Sequence, residues 1–248
     1  MSFLSRVPRP RSRRGWTYSL ATAALAGAGL FAAAYFVLFS GSAPAPLTLG
    51  GVNAVTSTPI ATPALTSAQV PGNWSVAAGS VAGYRVREQL AFLSAPSDAV
   101  GRTSSVTGTV TIGGSEAALT VTAASFTVDV STLTSDQSMR DQRLHSLGLE
   151  SDTYPKATFV LAAPAALPGN GGTGAAVSVS VTGAMTIHGT TKTVTIPMTA
   201  RLSASTIEVV GSITFPFEEF GMTPPSIGGF VTVQDHATME FDLDLKRA

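Results

Sequence analysis

The sequence predicts an all-β domain that follows a single membrane-spanning helix. Charged residues make up only 12% of the chain and hydrophobic residues 44%, and Ser, Thr and Gly dominate the rest. This composition favours strands and turns over helices. From about residue 74 onward, apolar and polar residues alternate with a period of two, as they do in strands with one buried face. Residues 16–40 form instead an uncharged and mostly apolar stretch.

The first 40 residues are expected to anchor the chain in a cell membrane. Residues 16–40 are long enough to cross a hydrocarbon core of about 30 Å as one helix, with aromatic residues near both ends. Residues 1–15 contain five arginines and no acidic residue, so the positive-inside rule places this tail in the cytoplasm and the rest of the chain outside. The alternative is a cleaved signal peptide, for which residues 41–43 supply small side chains. In both cases the β domain is extracytoplasmic.

Composition excludes several classes of function. The chain has no cysteine, which rules out disulfides, thiolate metal sites and a cysteine nucleophile. The histidines His145, His188 and His236 lie far apart and lack the spacing of a helical zinc site, so neither a metal ion nor a cofactor is expected. After the apolar stretch, acidic residues outnumber basic ones by five. Such a domain is not expected to bind nucleic acid.

Residues 41–73 are predicted to be a flexible linker. They contain five prolines among Ser, Thr, Ala and Gly, and no charged residue. Such a segment cannot bury enough apolar surface to offset the entropy lost on ordering. The β domain is therefore expected to occupy residues 74–248.

About eight strands are predicted in this domain, each with apolar residues at alternate positions. They lie near residues 84–90, 106–112, 119–130, 157–162, 177–187, 194–202, 207–217 and 239–245. The apolar positions change parity between Ala123 and Phe126, which indicates a β-bulge. Residues 188–192 form a short Gly-containing link, and no crossover helix separates successive strands. The connections are therefore predicted to be antiparallel.

One short helix is predicted between the strands, from Ser135 to Leu147. Ser135 can cap its first turn, and Gly148 can end it. Met139, Leu144 and Leu147 can share one apolar face. We expect this helix to cover an opening or an edge of the sheet.

Eight antiparallel strands with one apolar face can form a closed barrel or a two-sheet sandwich, and closure removes the exposed edges. Barrels of this size are either filled by their own side chains or hold one small ligand. Small residues occupy several positions of apolar parity, namely Gly108, Ala123, Gly183, Ala200 and Gly211. They indicate unfilled volume suited to an apolar guest. The glycines can instead relieve strain at barrel corners, so both possibilities stay open.

Four segments of the domain, together and in this order, resemble motifs of the YceI-like family. They are SFTVDVSTLTS at 125–135, MRDQRLHS at 139–146, YPKATF at 154–159 and VTGAMTIHGTTK at 181–192. The resemblance extends over roughly residues 74–246. It implies an extended, lipocalin-like antiparallel barrel, exported from the cell, that binds polyisoprenoid chains such as quinone tails. The loop at 95–103 lacks the histidine that many members carry, and members are often secreted and soluble, whereas this chain is predicted to be tethered.

The apolar pattern and the resemblance together give a set of candidate site residues. The tail of the ligand is expected to contact Phe126, Met139, Leu144, Phe159, Met185, Ile187, Phe215, Phe217, Phe220 and Met222. A charged cluster can meet a polar headgroup at the barrel mouth, or can fix the helix to the rim through ion pairs; its members are Arg140, Asp141, Arg143 and His145. The segment 215–222 can form a ligand wall or gate, or a plug that closes one barrel end.

The predicted function is that of a membrane-tethered, extracytoplasmic binding protein for an isoprenoid lipid or quinone-like amphiphile. Burial of the tail contributes about 0.8 kcal/mol per methylene. A filled barrel that acts as a protein-interaction module is the alternative, and the oligomeric state is left open. An enzyme is not expected: Asp141 and His145 stand four residues apart, but no nucleophile elbow accompanies them.

Overall fold

The structure is a computed structural model that describes residues 43–50, 66, 69–90, 96–115, 118–168, 174–203, 205–227 and 231–248. Within these residues the chain forms one antiparallel sheet. Its strands are β1 (Gly72–Val76), β2 (Val81–Leu90), β3 (Ser97–Thr103), β4 (Val106–Ser115), β5 (Ala118–Asp129), β6 (Lys156–Leu161), β7 (Ala165–Ala166), β8 (Ala176–Ile187), β9 (Thr190–Leu202), β10 (Thr206–Pro216), β11 (Ser226–Ile227) and β12 (Val231–Arg247). A short helix, α1 (Ser138–Arg143), connects β5 to β6.

The sheet closes into a barrel with eight strand positions. Trp74 pairs with Val110 and Ala82 pairs with Thr103, so β1 and β2 together face β3 and β4 as one long hairpin. β6 and β7 likewise share one position beside β5. β12 pairs with β10 on one side and with β2 and β1 on the other, which closes the ring. The predicted eight-stranded antiparallel barrel is confirmed, and the sandwich is excluded.

The predicted bulge lies in β5, opposite the middle of β4. Thr111 pairs with Ala123, whereas Ile112 pairs with Val121, so one residue of β5 is left over. The parity change therefore comes before Ala123, which is exposed, and Ala124 turns inward instead. The expectation that Ala123 faces the interior is wrong for this reason.

The hairpin between β8 and β9 has the predicted short turn. Ile187 pairs with Thr190, which leaves His188 and Gly189 as the two turn residues. Their φ angles are 50° and 69°. Two successive positive φ values are typical of the type I′ turn, whose twist matches that of the flanking strands.

The helix is shorter than predicted and starts later. It begins at Ser138 rather than Ser135, and a wider π-helical turn, Leu144–Gly148, follows it. This turn breaks the regular helical spacing, so the expected shared apolar face does not form. Met139 is 61% exposed and Leu147 66% exposed, and only Leu144 packs against the core.

The domain begins slightly earlier than predicted. Gly72 and Asn73 belong to β1, and Val70 is buried in the core, where its carbonyl oxygen accepts a 2.9 Å hydrogen bond from Trp74 Nε1. Residues 43–50, which we call the strap, contact the outside of the barrel. In these parts of the predicted linker, the described residues are thus bound to the domain rather than separate from it.

The predicted membrane span, 16–40, lies outside the described residues, as does most of the predicted linker. In the part of the chain that the structure describes, no helix is both long and apolar enough to cross a membrane.

Two clusters of buried apolar side chains follow one another along the barrel axis. The helix-end cluster lies where α1 covers the barrel and includes Met185, Ile187, Phe215, Phe217 and Phe220. The far-end cluster lies at the opposite end, where β4 meets β5, and includes Trp74, Ile112, Leu119, Leu202 and Leu245.

Candidate ligand-binding cavity

A cavity of about 180 Å³ lies inside the barrel, in its middle and towards the far end. Most of the strands contribute apolar side chains to its wall, among them Val110, Val121, Phe126, Phe159, Val179, Met198, Val209 and Phe241. Only a few lining residues, such as Thr158, are polar. A cavity lined in this way offers little to water and is suited to an apolar guest.

Glycines in the wall account for much of this space. A Cβ atom on Gly108 would lie 2.4 Å from Phe126 Cδ1, and one on Gly183 would lie 2.3 Å from Phe159 Cζ. The phenyl rings thus lie against neighbouring strands at positions that only glycine leaves free. Because the rings lie along the wall, they do not fill the axis of the barrel. Small residues thus accompany a cavity, as the sequence predicted. They act indirectly, because the glycines let the phenyl rings lie flat along the wall.

The cavity approaches solvent at the far end. Ala175 and Leu167 line it there, and Ala175 is exposed while Leu167 is half-buried. Val70 forms part of the same end of the lining. At the helix end, by contrast, buried side chains separate the cavity from α1.

The segment 215–222 packs as a plug at the helix end. Phe215 and Phe220 meet edge to face, with ring centroids 4.8 Å apart and an interplanar angle of 65°. Phe220 is fully buried, and Phe217 and Met222 are each 7% exposed. A 3₁₀ turn at Phe217–Phe220 folds these side chains inward. Of the two predicted roles for this segment, its packing corresponds to the plug.

The structure brings only some of the predicted tail-contact residues to the cavity. Phe126, Phe159 and Met185 line it. The others lie at the helix end: Ile187, Phe215, Phe217, Phe220 and Met222 are in the buried cluster, Leu144 packs against it, and Met139 is exposed. Alternation along a strand tells which side chains face inward but not how far along the axis they lie. Ligand contact at each of these residues stays a prediction.

The charged cluster on α1 lies at this filled end, away from the cavity. Arg140 contacts Glu88 of β2 at 3.2 Å and Asp136 at 2.5 Å. The pair with Glu88 fixes α1 to the end of the barrel, as one of the two predicted roles of the cluster requires. The contact with Glu88 joins residues 52 positions apart, a pairing that sequence spacing does not reveal.

Asp141 and His145 each bond to a nearby serine. Asp141 Oδ1 accepts hydrogen bonds from Ser135 N at 2.9 Å and Ser135 Oγ at 2.6 Å, which orders the approach to α1. His145 Nδ1 lies 2.5 Å from Ser151 Oγ, and Ser151 is fully buried. Because Ser151 is buried, its contact with His145 stabilises the loop and offers no surface to a substrate. Arg143 is half-buried in the last turn of α1.

Tyr84 is a polar side chain that packs against the helix-end cluster. Its hydroxyl oxygen is buried and has no hydrogen-bond partner among the described residues, and burial raises the pKa of the phenol far above its ordinary value. The ring fits because its neighbour on β3 is Gly101, where a Cβ would lie 2.3 Å from Tyr84 Cε1. Tyr84 therefore stays neutral beside the charged cluster on α1.

The sequence missed most of the cavity wall. Valines such as Val110, Val121 and Val179 line it, and only their alternation marked them as inward-facing. Val70 fell within the predicted linker, and Phe241 lies in the predicted strand at 239–245 but was not among the predicted site residues. The site prediction relied on aromatic residues, and most of these lie at the helix end, away from the cavity.

The fold and the cavity define a class of protein, the closed antiparallel barrel of eight strands with an apolar interior space. Within that class, the chain belongs to the YceI-like family, because the model of the YceI-like domain matches residues 74–245. This confirms the resemblance of the sequence motifs. No curated protein matches the chain.

Solved structures to which the chain is similar come from several bacteria. A polyisoprenoid binding domain from Saccharophagus degradans, implicated in plant cell wall breakdown, has a TM-score of 0.52 at 15% identity and covers 71% of this chain and 98% of its own. BcnA from Burkholderia cenocepacia has a TM-score of 0.48 at 24% identity, over 65% and 95% of the two chains. A YceI protein from Campylobacter jejuni has a TM-score of 0.43 at 11% identity, over 83% and 99%.

Proposed function

We propose that this protein binds an isoprenoid lipid or a quinone-like amphiphile, holds the apolar tail inside the barrel, and does so outside the cytoplasm on a membrane tether. The apolar cavity of about 180 Å³ is the observation that carries the proposal. Family membership supports it, and a similar solved structure is a polyisoprenoid binding domain. The protein-interaction alternative required a completely filled barrel, which the cavity argues against.

The direct test is to identify what the protein carries. The full-length chain is extracted from membranes in a mild detergent, and its organic extract is analysed by mass spectrometry. We expect an isoprenoid or similar amphiphile in roughly stoichiometric amount. Protein that repeatedly contains no lipid, and that does not bind a fluorescent polyprenyl probe, would contradict the proposal.

Two adjacent alanines on β5 provide a matched test of the binding place. Ala124 lines the cavity, whereas Ala123 is exposed. Ala124→Phe places a ring in the cavity and is expected to weaken probe binding by at least about tenfold, or 1.4 kcal/mol. Ala123→Phe adds the same ring outside and is expected to leave binding unchanged. Equal affinities of the two variants would place the ligand elsewhere.

The tether and the location have their own test. The full-length chain is expected to fractionate with membranes and to resist extraction by alkaline carbonate. In cells whose outer layers are permeabilised and whose cytoplasmic membrane is intact, an added protease is expected to digest the β domain. A chain that is released by carbonate, or a β domain that stays protected, would contradict this part of the proposal without affecting the binding result.

A further inference from the structure

The two ends of the cavity differ, because one approaches solvent and the other is closed by buried side chains. Ala175, just before β8, lines the cavity at the far end and is exposed. Along β8, the lining continues through inward-facing valines as far as Met185. Ile187, the next inward-facing residue of this strand, does not line the cavity and belongs to the buried helix-end cluster. Along this strand, the cavity therefore ends at Met185.

A layer of buried apolar side chains, which we call the floor, closes the cavity towards the helix end. Its members line the cavity and also belong to the helix-end cluster; among the described residues they are Ala157, Val181, Met185 and Ile196. Bulky rings of the cluster, such as Phe220, do not line the cavity and lie behind this layer. Met185 has the longest side chain of the floor and is only 1% exposed. A ligand tail that reaches the floor therefore cannot advance further.

A polar headgroup has no suitable place at the floor. The floor side chains are apolar, and a headgroup buried against them would lose its hydrogen bonds to water. Tyr84, a polar side chain that packs against the helix-end cluster, does not line the cavity. At the far end, by contrast, a headgroup can stay hydrated beside the exposed Ala175. An amphiphile is therefore oriented with the tip of its tail towards the floor.

We propose that the tail enters from the far end with its tip first, and that the floor, with Met185 as its main stop, sets the longest isoprenoid tail that the protein can bury. This inference rests on the proposed function and deepens it, because it names tail length as the property that is selected. Each isoprene unit inside the cavity leaves water and gains affinity. Each unit beyond this length stays outside the cavity and gains none.

Two variants that remove side chains of similar size separate this role from a general loosening of the barrel. Met185→Ala removes the flexible end of the side chain and lowers the floor, so the cavity is expected to accept one more isoprene unit. Leu202→Ala is the matched control, because Leu202 is buried and lines the cavity as a member of the far-end cluster. Its removal widens the cavity near the entrance without moving the floor.

Tail length is measured with the full-length chain in lipid nanodiscs that contain an equimolar series of polyprenols of increasing length. The chain is captured, its organic extract is analysed by mass spectrometry, and the amounts found in empty nanodiscs are subtracted. We expect the parent to retain tails up to one length, and at least about tenfold less of each longer tail. The limit should rise by one isoprene unit in Met185→Ala and stay in place in Leu202→Ala. Equal limits in the parent and Met185→Ala, or a limit that also rises in Leu202→Ala, overturn the inference.

Photocrosslinking tests the orientation of the ligand without any variant. One polyprenol carries a diazirine at the tip of its tail, and a second carries it beside the hydroxyl group. After irradiation of each complex, the modified peptides are sequenced. We expect the tip to modify the floor, and the hydroxyl end to modify residues around Leu167 and Ala175. The reverse pattern, or modification near Tyr84 by the hydroxyl end, overturns the inference.

The two measurements distinguish a failure of this inference from a failure of the proposed function. A chain that retains no polyprenol of any length, and that neither probe modifies, contradicts the proposed function and the inference with it. A chain that retains polyprenols without a limit in length, or in the reverse orientation, overturns the inference alone.

Discussion

The two halves of the barrel interior are filled in opposite ways. At the helix end, Phe215 and Phe220 pack against each other edge to face, with ring centroids 4.8 Å apart, within a cluster of buried apolar side chains. In the other half, the rings of Phe126 and Phe159 lie on glycines of neighbouring strands, beside a cavity of about 180 Å³. The comparison teaches that ring orientation, rather than the number of aromatic residues, decides whether this barrel holds space.

The largest effect is expected from removing the fully buried ring of the helix-end cluster. Phe220→Ala leaves a void in packed surroundings and is expected to lower the free energy of unfolding by about 3–5 kcal/mol. Because Phe220 does not line the cavity, the affinity of the folded protein for a polyprenyl probe should be unchanged. Urea unfolding and probe titration measure the two quantities.

Leu147→Ala is the control for this variant, since Leu147 is 66% exposed and its loss should cost less than about 0.5 kcal/mol. If Phe220→Ala weakened probe binding as strongly as it weakened folding, the two halves would not be separate, and the ligand would reach the helix end.

The next largest effect is expected from turning a ring of the cavity half away from its glycine. A Cβ on Gly211 would lie 2.5 Å from Phe241 Cζ and 3.0 Å from the Pro197 carbonyl oxygen. Gly211→Ala therefore pushes the ring towards the cavity. We expect a loss of about 1–3 kcal/mol in stability and about tenfold weaker probe binding, equivalent to 1.4 kcal/mol.

Gly113→Ala is the matched control, because its Cβ would meet only Thr122 Cγ2, at 3.3 Å. This variant should retain both stability and affinity. An unchanged affinity of Gly211→Ala would show that the glycines do not create the binding space.

The sequence predicted the barrel better than it predicted the site. The period of two and the bulge in β5 are local patterns, and they located most of the strands, the hairpin at His188 and the antiparallel order. They missed β3, because residues 97–103 were predicted to belong to a loop. The position of a side chain along the barrel axis depends on how far neighbouring strands are staggered, which no local pattern carries. The prediction therefore grouped Phe126, which lines the cavity, with Phe215, which closes the opposite end.

The outer wall was missed for a related reason. Along β12, alternation correctly assigned Glu240 and Asp242 to the outward face, and outward charges are normally solvated. Glu240 is buried among long-range contacts around the strap: it pairs with Arg102, whose bond to Ala45 joins residues 57 positions apart. A segment rich in proline and free of charge gives no sign of such a binding partner.

A variant on the outer wall sharpens the comparison because it changes stability without altering either half of the interior. Burial raises the pKa of Asp242 from 3.8 to about 6, and the charges of Glu208 and Asp244 add to this, while Arg201 opposes it. An acid whose pKa is raised by folding favours the folded state when protonated. Its stabilising effect is therefore present below about pH 4 and is lost as the pH rises to about 6.

Asp242→Asn is expected to remove this decline and to raise the free energy of unfolding above pH 7 by about 1–2 kcal/mol. Urea unfolding between pH 4 and pH 8 measures it, with the exposed Asp152→Asn as control. If the variant and the parent showed the same slope in this pH range, Asp242 would not be the group responsible.

The smallest effect is expected at the charged cluster on α1, which lies at the helix end, and it separates the two roles predicted for this cluster. Arg140 and Glu88 are partly buried, with side chains 17% and 14% exposed, so Arg140→Gln should cost about 1 kcal/mol, between the values for exposed and buried pairs. Because the cavity lies towards the other end, affinity should be unchanged for a quinone with its headgroup and for a plain polyprenyl hydrocarbon alike. A loss of affinity for the quinone alone would mean instead that the headgroup reaches Arg140. The ligand would then pass through the helix end of the barrel, which the side chains of the protein fill.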